Sequence, residues 1–177
     1  PIFEGRDSAD GPPRVRVDRG GGATYHGPGQ VVIYPVVALR SGGRGVRAFV
    51  DGLEEALCAV ARLHGVEAFR RPGLPGAWVD AEVPRKLGSV GIAVRRGISL
   101  HGASLNVARS SARGFEGFDP CGLPGVVATS LDDESPGRPI PPDRVEEHFV
   151  ACWARLAGYD DVVRVEAVTL PGTSVSG

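Results

Sequence analysis

The sequence predicts an α+β domain with a mainly antiparallel or mixed sheet flanked by helices. Three observations indicate this fold class. Apolar residues alternate in several short β-branched segments, two longer segments repeat them at helical spacing, and strands lie before and after the helices without steady βαβ alternation. A chain of 177 residues with 42% apolar residues can bury one core, so we predict a single domain over residues 1–177.

The first half of the chain is predicted to contain two strands and a long helix. Pro35 interrupts the second strand and indicates an edge strand or a bulge. Cys58 lies on the apolar side of the helix, where a thiol packs as a small core residue. The predicted elements are strands at residues 14–18 and 31–37 and a helix over residues 46–61 that ends near residues 64–65.

The rest of the chain, from residue 66 onward, is predicted to contain two short strands, a hairpin, two loops, a second helix and a final strand. The Arg-Gly pair at residues 96–97 is typical of the hairpin turn. Val145, Phe149, Cys152 and Leu156 mark one face of the second helix, which makes Cys152 another core thiol. The predicted elements are strands at residues 66–69, 77–80, 90–94, 98–107 and 162–168, and loops at residues 114–125 and 132–143.

Composition and charge exclude several classes of function. The formal net charge of -1 provides no strong field for nucleic acid or a membrane surface. No apolar run approaches the roughly 20 residues that span a bilayer, so we expect a soluble, cytoplasmic protein. The three cysteines are odd in number and widely spaced, which favours a reducing compartment, and no Cys/His spacing indicates a zinc site.

Lys86 stands out because it is the single lysine among the 20 basic residues. A guanidinium stays charged, whereas an amine exchanges a proton when its surroundings lower its pKa. Lys86 is therefore a candidate for chemistry. The alternative is that its occurrence is chance at a surface position.

Cys121 is the one cysteine outside a predicted apolar helix face, in a loop between a proline and a glycine. A thiolate is the nucleophilic form of cysteine, and a nearby cation or base is needed to lower the free pKa of about 8.5. Lys86, His26 and His101 are the available partners. The alternative is an inert loop cysteine.

The glycine-rich stretch RGGGATYHGPGQ at residues 19–30 joins two predicted strands. It lacks the Gly-Lys-Ser/Thr ending of a nucleotide phosphate loop, and its glycines do not open a predicted helix, so it is not a dinucleotide motif either. Glycines of this kind let the backbone approach a ligand closely. The alternatives are a tight structural connection and, for His26, a buried imidazole with satisfied hydrogen bonds.

Four motifs occur together and in order: RGGGATYHGPGQ at residues 19–30, RKLGSVGIAV at 85–94, HGASLNV at 101–107 and PCG at 120–122. This combination resembles the lipoyl(octanoyl) transferases, which move an octanoyl group from acyl carrier protein to a protein lysine. The resemblance implies a fold similar to biotin/lipoate protein ligase catalytic domains. It also implies that the family's N-terminal segment is missing before Pro1.

The resemblance implies roles for individual residues. Cys121 corresponds to the acyl-accepting nucleophile, Lys86 to the lysine that lowers its pKa and shuttles protons, and His26 and His101 to supporting residues. Substrate contacts are implied for Arg19, Gly20, Gly21, Gly22, Ala23, Thr24, Tyr25, His26, Ser89, Val90, Gly91, Gly102, Ala103 and Ser104.

The resemblance further implies octanoyl-acyl carrier protein as the donor, with no metal and no cofactor. The implied acceptors are lipoyl domains of 2-oxoacid dehydrogenase complexes and the glycine-cleavage carrier protein. Two alternatives stay open. One is an ATP-dependent lipoate-protein ligase, and the other is a non-catalytic module that binds an acyl carrier or a lipoyl domain.

Overall fold

The computed structural model describes residues 17–39, 45–79, 82–116, 125–135, 137 and 139–165. Within them, strands and helices follow one another in an order that matches the predicted α+β class. The strands are β1 (Gln30–Ile33), β2 (Ala68–Arg71), β3 (Leu74–Val79), β4 (Arg85–Arg95), β5 (Ile98–Asn106) and β6 (Val127–Ala128). The helices are α1 (Val46–Leu63), α2 (Arg109–Arg113), α3 (Leu131–Glu134) and α4 (Pro142–Ala157).

The sheet has the strand order β1-β5-β4-β3-β2, and all of these neighbours are antiparallel. β4 and β5 form its centre as the predicted hairpin, paired from Gly88↔Leu105 to Arg95↔Ile98. Both turn residues, Arg96 and Gly97, have positive φ, as a two-residue hairpin turn requires. β6 adds a short parallel pairing with the first two residues of β4. The mixed, mainly antiparallel sheet is therefore confirmed.

Pro35 ends the regular part of the edge strand. β1 stops at Ile33, two residues before the proline, because a proline cannot donate to the ladder. The chain nevertheless continues beside β5, where Ser99 N–H donates to Val37 O at 2.9 Å and Leu39 N–H donates to Gly97 O at 2.7 Å. The predicted strand over residues 31–37 is thus a short edge strand followed by an irregular extension.

The core lies between the sheet and the two long helices, which pack against each other. Leu53 and Leu57 of α1 and Val145 and Phe149 of α4 are fully or almost fully buried, as their helical spacing predicts. The helix boundaries also agree with the local signals, since α4 begins at a proline and ends at Gly158 in the left-handed conformation.

Both cysteines predicted to pack in the core are buried free thiols, Cys58 on α1 and Cys152 on α4. Burial, followed by repulsion from Glu55, raises the pKa of the Cys58 thiol to about 11. Cys58 is therefore inert as a nucleophile near neutral pH.

Three predictions near the ends of the chain are wrong in the residues described. Residues 162–165 form no strand, and Leu156 is 45% exposed, so it does not continue the apolar face of α4. Residues 17–18 likewise lie outside any strand. The remaining residues of the predicted strands at 14–18 and 162–168 lie outside the described part of the chain.

A histidine pair joins the C-terminal end of α1 to α4. His148 Nδ1 and His64 Nε2 are 3.1 Å apart, within hydrogen-bond distance. Burial first, and then the charges of His148 and Arg144, lowers the pKa of His64 below its ordinary value. The unfolded chain therefore binds a proton at His64 at a higher pH than the folded chain does.

We expect the free energy of unfolding to fall as the pH drops from about 7.5 through the ordinary histidine pKa near 6.5 and toward the depressed folded pKa. In His64→Gln this pH dependence should be weaker, because the titrating group is gone. Urea unfolding of both proteins at several pH values measures the difference. If the free energy of unfolding changed equally with pH in the two proteins, the prediction would be contradicted.

Candidate active site

The candidate site lies on the sheet face opposite α1 and α4. Ala77 and Val79 of β3 belong to the core beneath the helices, so Trp78 between them points to the other face. Trp78 pairs across the strands with Lys86 of β4. A register shift between Ala77 and Trp78 accompanies this pairing. The single lysine of the chain is therefore placed on this second face.

Lys86 is 2% exposed, so it is not the surface lysine that the alternative interpretation assumed. Its Nζ donates a hydrogen bond to Pro75 O at 2.8 Å and lies 4.5 Å from the centre of the Trp78 ring. The carbonyl and the ring face both favour the charged amine in a site that little water reaches. Lys86 is the second residue of β4, because this strand begins five residues before the predicted strand at residues 90–94.

Six of the residues predicted to contact substrate form three consecutive cross-strand pairs in the central hairpin. The pairs are Ser89↔Ser104, Val90↔Ala103 and Gly91↔Gly102. The partners in each pair are 11 to 15 positions apart in sequence, and the register of the hairpin brings them side by side. The two predicted stretches therefore lie side by side as one patch of the hairpin. Its Ser89↔Ser104 and Gly91↔Gly102 pairs face the candidate site, whereas Val90 and Ala103 belong to the core beneath the helices.

The glycine-rich segment crosses this patch at β4. Gly20 N–H donates to Ile92 O at 2.9 Å, and a Cβ on Gly91 would lie 3.1 Å from both Gly20 O and Arg19 Nη1. A Cβ on Gly102 would lie 2.1 Å from Ile33 O. At Gly91 and Gly102, for which the resemblance implied substrate contacts, the absent side chain therefore lets segments of this chain pack together.

His26 is exposed, so the alternative of a buried imidazole is wrong. Its Nδ1 lies 2.6 Å from Gln30 Oε1, and Gln30 Nε2 donates to Asn106 Oδ1 at 2.8 Å. Asn106, which is buried, donates in turn to Thr129 O at 2.9 Å. His26, Gln30, Asn106 and Thr129 thus form a polar network that connects the glycine-rich segment to the segment that enters α3.

The same network reaches Lys86 through the backbone. Thr129 N–H donates to Lys86 O at 3.0 Å, and Thr129 Oγ1 donates to Glu134 Oε1 at 2.6 Å. Arg85 holds both oxygens of Glu134 at 2.7 Å. Burial alone would raise the pKa of Glu134, but the hydrogen bonds from Arg85 and Thr129 outweigh it and keep that pKa below its usual value.

The sequence interpretation missed Gln30, Asn106 and Thr129. The available signal was a polar asparagine in the apolar strand 98–107, since a buried polar side chain in a strand must find partners. Nothing in a single sequence identifies partners 76 and 23 residues away.

Asn106→Ala should lower the free energy of unfolding by about 1–3 kcal/mol, because it leaves Gln30 Nε2 and the carbonyl of Thr129 without their buried partner. Urea unfolding measures the change. Ser110→Ala is the matched control: Ser110 is exposed, and its bond to Pro28 O is 3.3 Å long, so its loss should cost less than about 0.5 kcal/mol. Equal losses in the two variants would show that the network adds no stability.

The predicted nucleophile, Cys121, lies outside the described residues. The described residues before position 117 and after position 124 contact the site. Before the loop, the ring of Phe115 meets Tyr25 of the glycine-rich segment edge to face, with ring centres 5.8 Å apart. After the loop, Ala128 pairs with Lys86. Cys121 therefore belongs to a segment whose two ends are held beside the glycine-rich segment and Lys86.

The second predicted supporting histidine lies elsewhere on the hairpin. His101 pairs with Ile92, has a φ of 60°, and meets the ring of Tyr34 edge to face at 5.9 Å. The contacts of the described residues thus place His26 in the polar network and His101 near β1. The structure does not bring these two side chains into one hydrogen-bonded group among the described residues.

Within the described part of the chain, no group of three His, Cys, Asp or Glu side chains is placed to hold a metal ion. The helices in that part of the chain are too short or too polar to span a bilayer. Thr24 Oγ1, in the glycine-rich segment, is a buried hydroxyl that makes no hydrogen bond to any residue that the structure describes.

Comparison with known proteins identifies related sequences. The family model described as Lipoyl protein ligase A/B catalytic domain matches residues 8–154. An octanoyltransferase from Cellvibrio japonicus is 40% identical over 148 residues, which are 84% of this chain and 66% of that protein. One from Chromohalobacter salexigens is 42% identical over 149 residues, 82% of this chain and 64% of that protein. The chain therefore spans slightly less than two thirds of these relatives.

Solved structures resemble the fold. A bi-partite lipoate protein ligase from Thermoplasma acidophilum has a TM-score of 0.62 at 19% identity and covers 85% of this chain and 59% of that one. A lipoate-protein ligase A bound with ATP has a TM-score of 0.59 at 20% identity and covers 85% of this chain and 60% of that one. The expected likeness to lipoate protein ligase catalytic domains is therefore confirmed for the fold.

Proposed function

Because this chain belongs to the lipoyl protein ligase A/B catalytic domain family, we propose that it is an octanoyltransferase of lipoate biosynthesis. It moves an octanoyl group from octanoyl-acyl carrier protein to a lysine of lipoyl-dependent protein domains. The relatives that are 40% and 42% identical are octanoyltransferases, which favours transfer over ligation. The observation that carries the chemical part of the proposal is the buried Lys86, held on Trp78 beside the segment that precedes α3.

In the first half of the reaction, the Cys121 thiol gives its proton to Lys86 Nζ, and the thiolate attacks the carbonyl carbon of the donor thioester. The new carbon–sulfur bond forms as the bond to the carrier sulfur breaks. The departing carrier thiolate takes the proton from Lys86. Cys121 then carries the octanoyl group as a thioester, and Lys86 is a neutral amine.

In the second half, the amine of the acceptor lysine attacks the Cys121 thioester. An amide bond forms, Cys121 leaves as a thiolate, and the proton of the attacking amine passes to Lys86 Nζ. Thiolate and ammonium then stand ready for the next donor. The two proposed half-reactions use only Cys121, Lys86, the donor thioester and the acceptor lysine, without a metal, a nucleotide or another cofactor.

The octanoyl chain is proposed to bind along the glycine-rich segment, from Arg19 to His26, and along the site-facing pairs of the hairpin patch, Ser89↔Ser104 and Gly91↔Gly102. Burial of its methylene groups at roughly 0.8 kcal/mol each supplies several kcal/mol of binding. The buried hydroxyl of Thr24, which makes no hydrogen bond to any residue that the structure describes, is suited to contact a polar part of the substrate. The acceptors proposed are lipoyl domains of 2-oxoacid dehydrogenase complexes and the glycine-cleavage carrier protein.

The test is to mix the protein with octanoyl-loaded acyl carrier protein and measure its intact mass. We expect one octanoyl adduct, sensitive to hydroxylamine, that is absent from Cys121→Ala. Cys152→Ala is the matched control because Cys152 is a buried core thiol, and it should still be acylated. An unmodified parent protein, or an adduct that persists in Cys121→Ala, would overturn the proposal.

A second reaction distinguishes the proposed transferase from the alternative, an ATP-dependent lipoate ligase. A ligase forms lipoyl adenylate from free lipoate and ATP, whereas the proposed transferase does not. Binding of acyl carrier protein without any transfer would instead support a non-catalytic module.

A further inference from the structure

A buried carboxylate in α1 takes no part in the function described so far. Glu54 is 5% exposed and lies on the helix face that packs on the sheet. A charge buried at such a position is costly unless both its oxygens find partners. Glu54 Oε2 accepts from Arg70 Nε at 2.9 Å, and Oε1 accepts from the backbone N–H of Gly76 at 2.9 Å.

The N–H of Gly76 belongs to the same peptide group as the carbonyl of Pro75. That carbonyl accepts the hydrogen bond from Lys86 Nζ at 2.8 Å. The carboxylate of Glu54 and the amine of Lys86 therefore hold the two ends of one planar, conjugated group. A charged acceptor on the N–H side polarises the peptide and makes its oxygen a stronger acceptor for an ammonium.

The peptide cannot turn away from Lys86 because Gly76 is fixed by its neighbours. Its φ is 134°, and a Cβ there would lie 2.2 Å from Gly88 O and 3.2 Å from Lys86 Nζ. β3 and β4 thus approach each other so closely that only glycine is accommodated. The orientation of the Pro75 carbonyl follows from this packing and from the hydrogen bond to Glu54.

We propose that Glu54 is a positioning residue for Lys86, acting through the Pro75–Gly76 peptide to hold Nζ in place and to favour its charged form. Its catalytic consequence rests on the proposed octanoyl transfer, whereas its effect on Lys86 does not. In that reaction, Lys86 must exist as an ammonium beside the thiolate, so Glu54 sets the pH range in which the first half proceeds.

Other charged groups also act on Lys86. Arg71 lies over the same Trp78 ring at 5.6 Å, and Arg70 shares the carboxylate of Glu54. Both are cations and oppose the charged amine. The neighbouring Arg85 is paired with Glu134. Among the described residues, Glu54 is the carboxylate bonded to the peptide that accepts from Lys86 Nζ, so its removal changes the charge on that peptide directly.

The composition of the chain allows a direct test. Since Lys86 is the single lysine, protein grown with ¹³Cε-labelled lysine gives one lysine signal, and its chemical shift against pH reports the pKa of Lys86. In Glu54→Gln the midpoint should move down by at least about half a unit, because the negative charge is removed while Arg70 and Arg71 remain. Near-UV circular dichroism checks that the variant is folded.

Glu55→Gln is the matched control. Glu55 is the next residue of α1, but it pairs with Arg62 at the surface, and its side chain is 41% exposed. The same change of charge there should leave the midpoint of Lys86 within about 0.2 units of the parent. A midpoint that is unchanged in Glu54→Gln, or that moves equally in Glu55→Gln, would overturn the proposal.

If Glu54→Gln does not fold, Glu54→Asp takes its place. Aspartate keeps the negative charge, but its side chain is one methylene shorter and no longer reaches Gly76 N–H. We therefore expect the titration midpoint of Lys86 to move down by less than in Glu54→Gln. An unchanged midpoint in Glu54→Asp would refute the inference. In the transfer assay, the rate of Cys121 acylation plotted against pH should begin its alkaline decline at a lower pH, in step with the lower titration midpoint of Lys86. A shifted midpoint in a protein that transfers nothing would reject the proposed function while supporting the role of Glu54.

Discussion

Lys86→Met should lower the rate of octanoyl transfer by at least about 100-fold, the usual contribution of a positioned acid or base. Methionine matches the aliphatic part of the lysine side chain, so it can pack on Trp78, but it lacks the amine and therefore neither carries a proton nor donates to Pro75 O. Both halves of the proposed reaction need Nζ, the first to ionise Cys121 and the second to accept the proton of the acceptor lysine. Intact mass measures acylation, and an acceptor domain measures transfer.

Lys86→Arg separates these two roles. A guanidinium keeps the positive charge but does not release its proton near neutral pH. Acylation of Cys121 should therefore survive better than transfer to the acceptor lysine, provided that the variant has the parent's near-UV spectrum. Full transfer in Lys86→Met would contradict the assignment of any proton transfer to Lys86.

Gly76→Ala should lower the free energy of unfolding by at least about 3 kcal/mol. The added Cβ would lie 2.2 Å from the backbone oxygen of Gly88, which cannot move without breaking the pairing of β3 with β4. The φ of 134° is also unfavourable for any residue with a side chain. Denaturant unfolding measures the loss directly.

Gly73→Ala isolates the steric contribution. Gly73 also has a positive φ, 79°, but a Cβ there would meet no atom within 4 Å. Its cost should be about 1 kcal/mol, from the backbone conformation alone. If Gly76→Ala lowered the free energy of unfolding no more than Gly73→Ala does, the close approach of β3 and β4 around Lys86 would not account for the expected loss of stability.

The elements with strong local signals were predictable. The apolar periodicity located α1 and the middle of α4, and the Arg-Gly turn located the β4–β5 hairpin, because each signal lies within a few neighbouring residues. Composition alone identified Lys86 as a candidate residue, because it is the single lysine among 20 basic residues. The strand at residues 162–168 was predicted from apolar character alone, and residues 162–165 do not form one because β-propensity without a pairing partner does not make a strand.

By itself, the sequence determined the fold class, the two long helices, the central hairpin and the candidate residues Lys86 and Cys121. Only the tertiary structure decided what surrounds Lys86. Glu54 and Glu55 are adjacent and chemically identical, yet one is buried against the Pro75–Gly76 peptide and the other pairs at the surface. That difference depends on where β3 crosses beneath α1. Contacts between residues far apart in the chain leave no periodic signal in it, so no local pattern could have predicted them.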